Sequence, residues 1–370
     1  MKKALFFLGL VAIMLLPNLA LAANDSPNEV FEARVIKVIN QREVKNDDGR
    51  IIVQQDLLLR GLKGAWKDKE VTHKGIGDAD ILSVQPYNEG DVVVVQKSLS
   101  SDGEEIFFAT DYVRRDWLYF LAALFALMVV GIGGWKGVKS LISLVASFFL
   151  IIKFILPFIL DGYNPLLIAL FGSFAILAVI IYLTEGFNKK SHLAMLSVFI
   201  TLSITLALSL LFTALTRLSG LVSDEAGFLI GLTKNPIDFS GLLLAGFLIG
   251  AVGVLDDVVV GQIESVRQLK EANPYLSKWQ VFKSAYKIGN THLGAIINTL
   301  FLTYAGASLP LLLLFALQKN SGLTFATAIN NELVATEIVR TLVGSMGVAL
   351  SMPIATALGS MWIKVDKEKK

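Results

Sequence analysis

The sequence predicts an α-helical polytopic membrane protein, with about seven spans after a signal peptide and an exported N-terminal β-barrel of the OB or SH3-like kind. Three observations support this fold class. Hydrophobic residues make up 54% of the 370 positions, and they gather in runs that reach the roughly 20 residues needed to cross a bilayer. The chain opens with the layout of a secretory signal. A polar segment with the period of β-strands follows it.

Composition excludes several classes of function. The net charge of +2 is too small to indicate a nucleic-acid partner. The chain has no cysteine, so disulfides, thiolate catalysis and cysteine-based metal sites are excluded. We therefore expect no nucleic acid, no cofactor and no metal among its partners.

Residues 1–22 have the layout of a signal peptide. Lys2 and Lys3 precede a short apolar run, and small residues at Ala20 and Ala22 form a cleavage site. An uncleaved anchor is the alternative. In either case we expect residues 23–115 to be exported as a separate β-rich domain.

The exported segment predicts five short strands. Its apolar residues alternate with polar ones, and Asn, Asp and Gly clusters supply the turns between them. No dense basic patch or interleaved aromatic set is present, so oligonucleotide binding is not expected. His73 is a lone imidazole, for which a surface or packed position is favoured over a metal site. The predicted strands cover residues 30–39, 50–60, 81–84, 91–98 and 105–113.

The remaining chain predicts a transmembrane bundle over residues 116–363, followed by a cytoplasmic tail at 364–370. A glycine-rich turn at 133–137 separates the first two spans. Lys and Arg concentrate in the loops and tail assigned to the inside, while the outer loops carry only Arg217, Lys234 and Lys319. The predicted spans are Trp117 to Ile132, Val138 to Leu160, Pro165 to Leu183, Leu193 to Leu215, Gly241 to Glu264, Leu293 to Leu317, and Glu332 to Trp362.

The fifth span carries the most unusual pattern, a stripe of small residues that ends in acids. Small residues let a second helix approach closely, and an acid within a membrane helix is expensive unless it faces protein or water. We therefore expect Asp257 to turn into the bundle, with Asp256 about 100° round the helix from it. The alternatives are a structural polar lock and an idle position near the headgroups. The stripe consists of Gly246, Gly250, Gly253, Asp257, Gly261 and Glu264.

The sixth span carries Asn298 and Thr299 at a depth close to that of Asp257, about 9 Å from its inner end. Gly294 shares one face with Asn298, so contact with the fifth span is expected. Together these polar residues form a candidate ion or transport site. The alternative for Asn298 is a helix–helix hydrogen bond without a ligand.

The last span contains Glu337 and Arg340, which are three residues apart and can pair on one helix face. Lys153 in the second span could reach a similar depth, or it could extend to the membrane surface. Two interpretations stay open for this group. It is a structural ion pair, or it is a gate that breaks and reforms.

Three stretches carry a resemblance to a known family. GAVGVLDDVVVGQ, GNTHLGAIINTLFLTYAGASLP and ELVATEIVRTLVGSMGVALSMPI occur in this order and together resemble the YibE/F family of bacterial membrane proteins. The resemblance implies a multi-span protein of the bacterial inner or plasma membrane, and it implies no particular activity. The polar positions that match the family motifs are Asp257, Asn298, Thr299, Glu337 and Arg340.

Two functions from different classes follow from these patterns. One is a transporter or permease in which an intramembrane Asp helps to move an ion or small solute. The other is a sensor or assembly platform, whose exported domain binds a ligand or partner and whose bundle associates with a second copy or another membrane protein. A membrane hydrolase is disfavoured, because adjacent acids diverge on one helix and no nucleophile motif is present.

Overall fold

The computed structural model describes residues 29–45, 51–76, 86–100, 103–221, 224–232, 235–317 and 325–363. The predicted signal peptide, the predicted strand at 81–84 and the tail at 364–370 lie outside these residues. The chain divides into two compact units, Met1–Met128 and Val129–Lys370. The first unit therefore contains the start of the first apolar helix as well as the β-rich segment.

The β-rich segment forms a closed five-stranded barrel in the order β1-β2-β3-β5-β4. Its longest strand, β1, pairs antiparallel with both β2 and β4, and this double pairing closes the barrel. Alternate residues such as Ala33, Leu57 and Val93 are buried, as the period of two predicts. The strands are β1 (Glu29–Lys45), β2 (Ile51–Gly61), β3 (Glu70–Lys74), β4 (Val92–Leu99) and β5 (Glu105–Tyr112).

Strand β3 is the one described strand that the sequence pattern does not predict. It is five residues long, and only Val71 and His73 point into the barrel. His73 is buried, and its Nδ1 lies 2.9 Å from the carbonyl oxygen of Phe107 on β5. This packed position is one of the two that the sequence favours for the imidazole over a metal site.

The helical part begins with α1 (Arg115–Leu150), which is broken at Gly134. Gly134 has φ 54° and ψ −133°, a conformation that glycine adopts without a Cβ penalty. The backbone folds back there and brings Gly137 close to Val129. A Cβ on Gly137 would lie 2.2 Å from the carbonyl oxygen of Val129. The break falls inside the predicted turn at 133–137.

The other helices follow in chain order, and α1 continues through a π-helical turn at Ile151–Ile155. They are α2 (Leu156–Leu160), α3 (Pro165–Glu185), α4 (Lys189–Leu215), α5 (Asp224–Leu232), α6 (Phe239–Ala272), α7 (Lys278–Ala307), α8 (Leu309–Leu317), α9 (Phe325–Ile329) and α10 (Glu332–Trp362).

The described residues contain five helical stretches long and apolar enough to cross a membrane. This number differs from the predicted seven for two reasons. The first two predicted spans form one stretch interrupted at Gly134. The predicted span from Leu293 to Leu317 is not among the five, since α7 begins with polar residues and the helix is interrupted at Ser308. The five stretches are Arg115–Leu160, Pro165–Glu185, Lys189–Leu215, Phe239–Ala272 and Glu332–Trp362.

Helix α6 lies at the centre of the bundle and packs against α3, α4, α7 and α10. Its buried face is made of large apolar side chains, among them Leu248 and Leu255. A buried amide adds a polar link, because Gln262 Nε2 donates hydrogen bonds to the Ala285 carbonyl and to Thr356 Oγ1, both at 2.7 Å. These bonds join α6 to α7 and α10. Gly289 is required beside them, since a Cβ there would lie 2.5 Å from Gln262 Oε1.

Candidate functional site

The acid-bearing stripe lies on the exposed face of α6. Asp257 is exposed and Asp256 is half-buried, whereas the predicted orientation turns Asp257 into the bundle. That orientation is wrong within the single chain, because the large apolar residues on the opposite side of α6 make the contacts with the other helices. No atom outside the local backbone lies within 4 Å of a Cβ built on Gly246, Gly253 or Gly261.

Gly250 is the stripe glycine that meets a neighbouring helix. A Cβ built on Gly250 would lie 3.1 Å from the hydroxyl of Tyr304 on α7. Near the other end of the same helix pair, Gln262 bonds to Ala285. These two contacts join antiparallel helices. The shared depth of Asp257 and Asn298 stays a prediction of the sequence.

The polar residues of α7 also face outward. Asn298, Thr299 and Gly294 are exposed, and a Cβ on Gly294 would meet open space. Thr299 Oγ1 donates to the carbonyl of Ala295, 2.9 Å away within its own helix. Among the described residues no hydrogen bond joins Asp257 to Asn298. The predicted contact between α6 and α7 is present at Gly250 and Gln262, and the exposed faces that carry Asp257 and Asn298 lie outside it.

These faces offer carboxylate, amide and hydroxyl oxygens on two neighbouring helices. Oxygen ligands of this kind suit a proton or a hard cation. The described residues contain no group of three or more His, Cys, Asp or Glu that could hold a metal ion. The arrangement can therefore exchange a proton or interact with a cation in passing, and it lacks a closed coordination cage.

Near the opposite end of α6, Glu337 and Arg340 form an ion pair. Glu337 Oε1 lies 2.8 Å from Arg340 Nη1, and the Arg340 guanidinium lies 5.4 Å from the centre of the Phe247 ring. Arg340 Nε is buried and has no hydrogen-bond partner in the described part of the chain. Lys153 is exposed on the π-helical turn and forms no ion pair with a described residue. The structure brings Glu337 and Arg340 together, and Lys153 does not join them.

The Glu337 carboxylate also borders a cavity of about 220 Å³ between α7, α8 and α10. The cavity walls are mostly apolar, and Tyr304, Ser308 and Thr341 add hydroxyl groups. Its position connects the α7 residue that touches Gly250 with the ion pair on α10. Tyr304 thus lies beside Gly250 of the stripe and also lines the cavity that Glu337 borders.

A second ionic cluster joins the N-terminal end of α4 to the C-terminal part of α6. Lys190 Nζ lies 2.6 Å from Glu185 Oε2 and 3.2 Å from Glu264 Oε2, and Arg267 pairs with Glu264 at 2.5 Å. Glu264, the last member of the predicted stripe, is therefore held in a salt-bridge network. The alternating charges of ESVRQLKE were the available signal for this cluster.

The interface between α4 and α10 contains a row of buried hydroxyls that the sequence-based prediction does not include. On α4 they recur every fourth residue, and four of them donate to the carbonyl one turn earlier. The helices approach closely, since a Cβ on Gly347 would lie 2.2 Å from Thr205 Oγ1. The spacing of four residues between the Ser and Thr side chains of α4 was the sequence signal for this row. The α4 row is Ser197, Thr201, Thr205, Ser209 and Thr213.

Comparison with known proteins gives one match. A family model described as YibE/F-like protein matches residues 121–365, a range that contains all three of the stretches on which the resemblance rests. No curated protein and no solved structure matches the chain.

Proposed function

The chain belongs to the YibE/F-like family, and its apolar helices are those of a membrane protein. From the carboxylates on one of these helices we propose that it is a transporter that moves a cation or a small solute. In this proposal the exposed face of α6 borders the path. Asp257 is the residue that exchanges a proton or contacts the cation, and Asp256 beside it is half-buried and plays a smaller part.

One observation carries this proposal. Asp257 lies on a face of α6 that glycines leave open, in a helix long enough to cross a membrane. A carboxylate in contact with lipid tails costs at least about 2.5 kcal/mol, so such groups face water or protein. The absence of side chains at Gly253 and Gly261 leaves room for water beside the carboxylate. A hydrated carboxylate within a membrane helix is what ion transfer requires.

The residues around Asp257 support the same function. Asn298 and Thr299 add uncharged oxygens on the neighbouring helix, and the sequence predicts for them a depth close to that of Asp257. Oxygen groups that are spread along a path allow a cation to bind weakly and leave again, which transport needs. The Glu337–Arg340 pair lies near the opposite end of α6 from Asp257. It is a suitable gate, because its two compensated charges can separate and pair again.

The test is ion flux in proteoliposomes that contain the full chain. Asp257→Asn keeps the size of the side chain and removes its charge, so we expect proton or monovalent-cation flux to fall at least about tenfold while insertion is unchanged. Asp256→Asn is the matched control and should reduce flux much less. Normal flux in the Asp257→Asn protein would contradict the proposal.

A second candidate function rests on the same open glycines. Small residues on an exposed membrane helix are typical of a surface that receives another helix. In that case the protein is an assembly platform or sensor, in which the barrel binds a ligand or partner and α6 contacts a second copy or another membrane protein. Absence of any flux, together with specific cross-linking through α6, would favour this function.

A further inference from the structure

A cleft of about 930 Å³ lies beside the first turns of α1, in the same compact unit as the barrel. One wall comes from the barrel, namely from β1, the residues after β2, the start of β4 and the end of β5, and the other wall comes from α1. The cleft is lined by four basic side chains, three acidic ones and several apolar ones. The charged residues are Arg34, Lys63, Arg114, Arg115, Glu32, Asp91 and Asp116.

Most charges that line the cleft are already compensated. Arg115 donates two hydrogen bonds to the Glu32 carboxylate, at 2.6 and 3.3 Å, and Lys63 lies 3.8 Å from the same group. Arg114 pairs with Asp111 at 2.5 Å. Arg34 is exposed and forms no ion pair with any residue in the described part of the chain. It projects from the same side of β1 as Glu32, because the two are separated by two positions on a strand.

The opposite wall begins with Arg115 and Asp116 and is otherwise apolar, and its apolar surface continues along the helix. Trp117, Leu118 and Leu121 line the cleft, and all three are exposed. They belong to the first of the stretches able to cross a membrane, and exposed apolar residues extend beyond them to Leu124 and Phe125. Trp at the start of such a helix is typical of the membrane–water interface. The cleft therefore joins the Arg34 guanidinium, which has no ion-pair partner among the described residues, to a surface suited to hydrocarbon.

We propose that this cleft binds the phosphate-bearing headgroup of a membrane glycerophospholipid. The Arg34 guanidinium receives the phosphate, since its planar donors match phosphate oxygens. The acyl chains lie along the exposed apolar side of α1. This site is separate from the acid face of α6 and does not depend on the proposed transport function.

The probe is phosphatidylglycerol, added to the purified full chain in detergent and measured by native mass spectrometry. We expect Arg34→Gln to weaken its binding about fivefold or more, because a charge-assisted contact to phosphate is lost. Arg34→Lys should retain part of the affinity. Arg42→Gln is the matched control: Arg42 is exposed on the same strand, opposite Gln54, and does not line the cleft. Equal binding by the Arg34→Gln and Arg42→Gln proteins would overturn the proposal.

Two further probes separate the parts of the ligand. Diacylglycerol has the chains without the phosphate, and glycerol phosphate has the phosphate without the chains. The proposal requires both to bind more weakly than phosphatidylglycerol. If glycerol phosphate binds as tightly as the intact lipid, the site takes a soluble phosphate compound and the lipid proposal fails. If diacylglycerol does so, Arg34 is not the recognition element and the proposal also fails.

Discussion

Arg340 makes contacts with two helices at once. On its own helix it bonds to Glu337, and across the interface its guanidinium lies over the Phe247 ring of α6. A cation above an aromatic face gains additional stabilisation when water is excluded. The side chain therefore fixes α10 against α6, in addition to compensating the charge of Glu337.

We predict that Glu337→Gln and Arg340→Gln each lower the stability of the protein by about 2 kcal/mol, the typical contribution of a hydrogen bond to a charged group. The double substitution should cost less than the sum, with a coupling energy of about 1 kcal/mol. The measurement is thermal unfolding in detergent for the four proteins of the cycle. Strict additivity would show that the two side chains do not interact.

Individual residues also show which parts of the candidate site can be predicted from the sequence. Glu337 and Arg340 are three residues apart on one helix, so their pairing follows from local geometry alone. The direction of Asp257 does not, because α6 is apolar on most sides and only its neighbours decide which side is covered. The small residues indicate a face of close approach, but not whether that face lies within the chain or outside it. The position of the Lys153 side chain is not predictable for the same reason, because it depends on how α1 packs.

At the scale of one element, α6 has two faces with different partners. Its large side chains contact four helices, and its glycine face contacts little beyond Tyr304. If a second copy covers this face, the absence of native cysteine permits a clean test.

In that case we predict that Gly253→Cys forms a disulfide-linked dimer in membranes after mild oxidation, because facing helices in a close-packed pair bring such residues together. Leu302→Cys is the control, since Leu302 is 73% exposed and lies on α7. Equal cross-linking at both positions would indicate random collision, and none at Gly253 would leave water as the occupant of the face.

The α4–α10 pair illustrates a different limit of sequence-based prediction. The Ser and Thr residues of α4 recur at intervals of four, and this interval defines one helix face. The sequence alone does not identify the partner of that face. In the structure it is α10, where Gly347 allows the approach to Thr205. The elements themselves are largely predictable from composition, and the pairing between distant elements is not.

For the whole molecule we predict that the barrel lies outside the cell and the C-terminal end of the chain lies inside. The reasons are the signal layout and the concentration of Lys and Arg in the loops assigned to the inside. Protease added to right-side-out vesicles should remove the barrel and spare the C-terminal lysines. Inside-out vesicles are the control and should give the opposite result. Loss of the C-terminal end alone from right-side-out vesicles would refute this orientation.

The double pairing of β1 sets an order of events during synthesis. β1 is made first, but one of its two neighbours is β4, and β5 ends at Tyr112, just before α1 begins at Arg115. A strand with an unpaired edge readily associates with other chains. Since chains emerge N-terminus first, β1 keeps one open edge until β4 has been synthesised. The barrel is complete only when the first apolar helix is about to emerge, so protection from aggregation and anchoring in the membrane come at nearly the same moment.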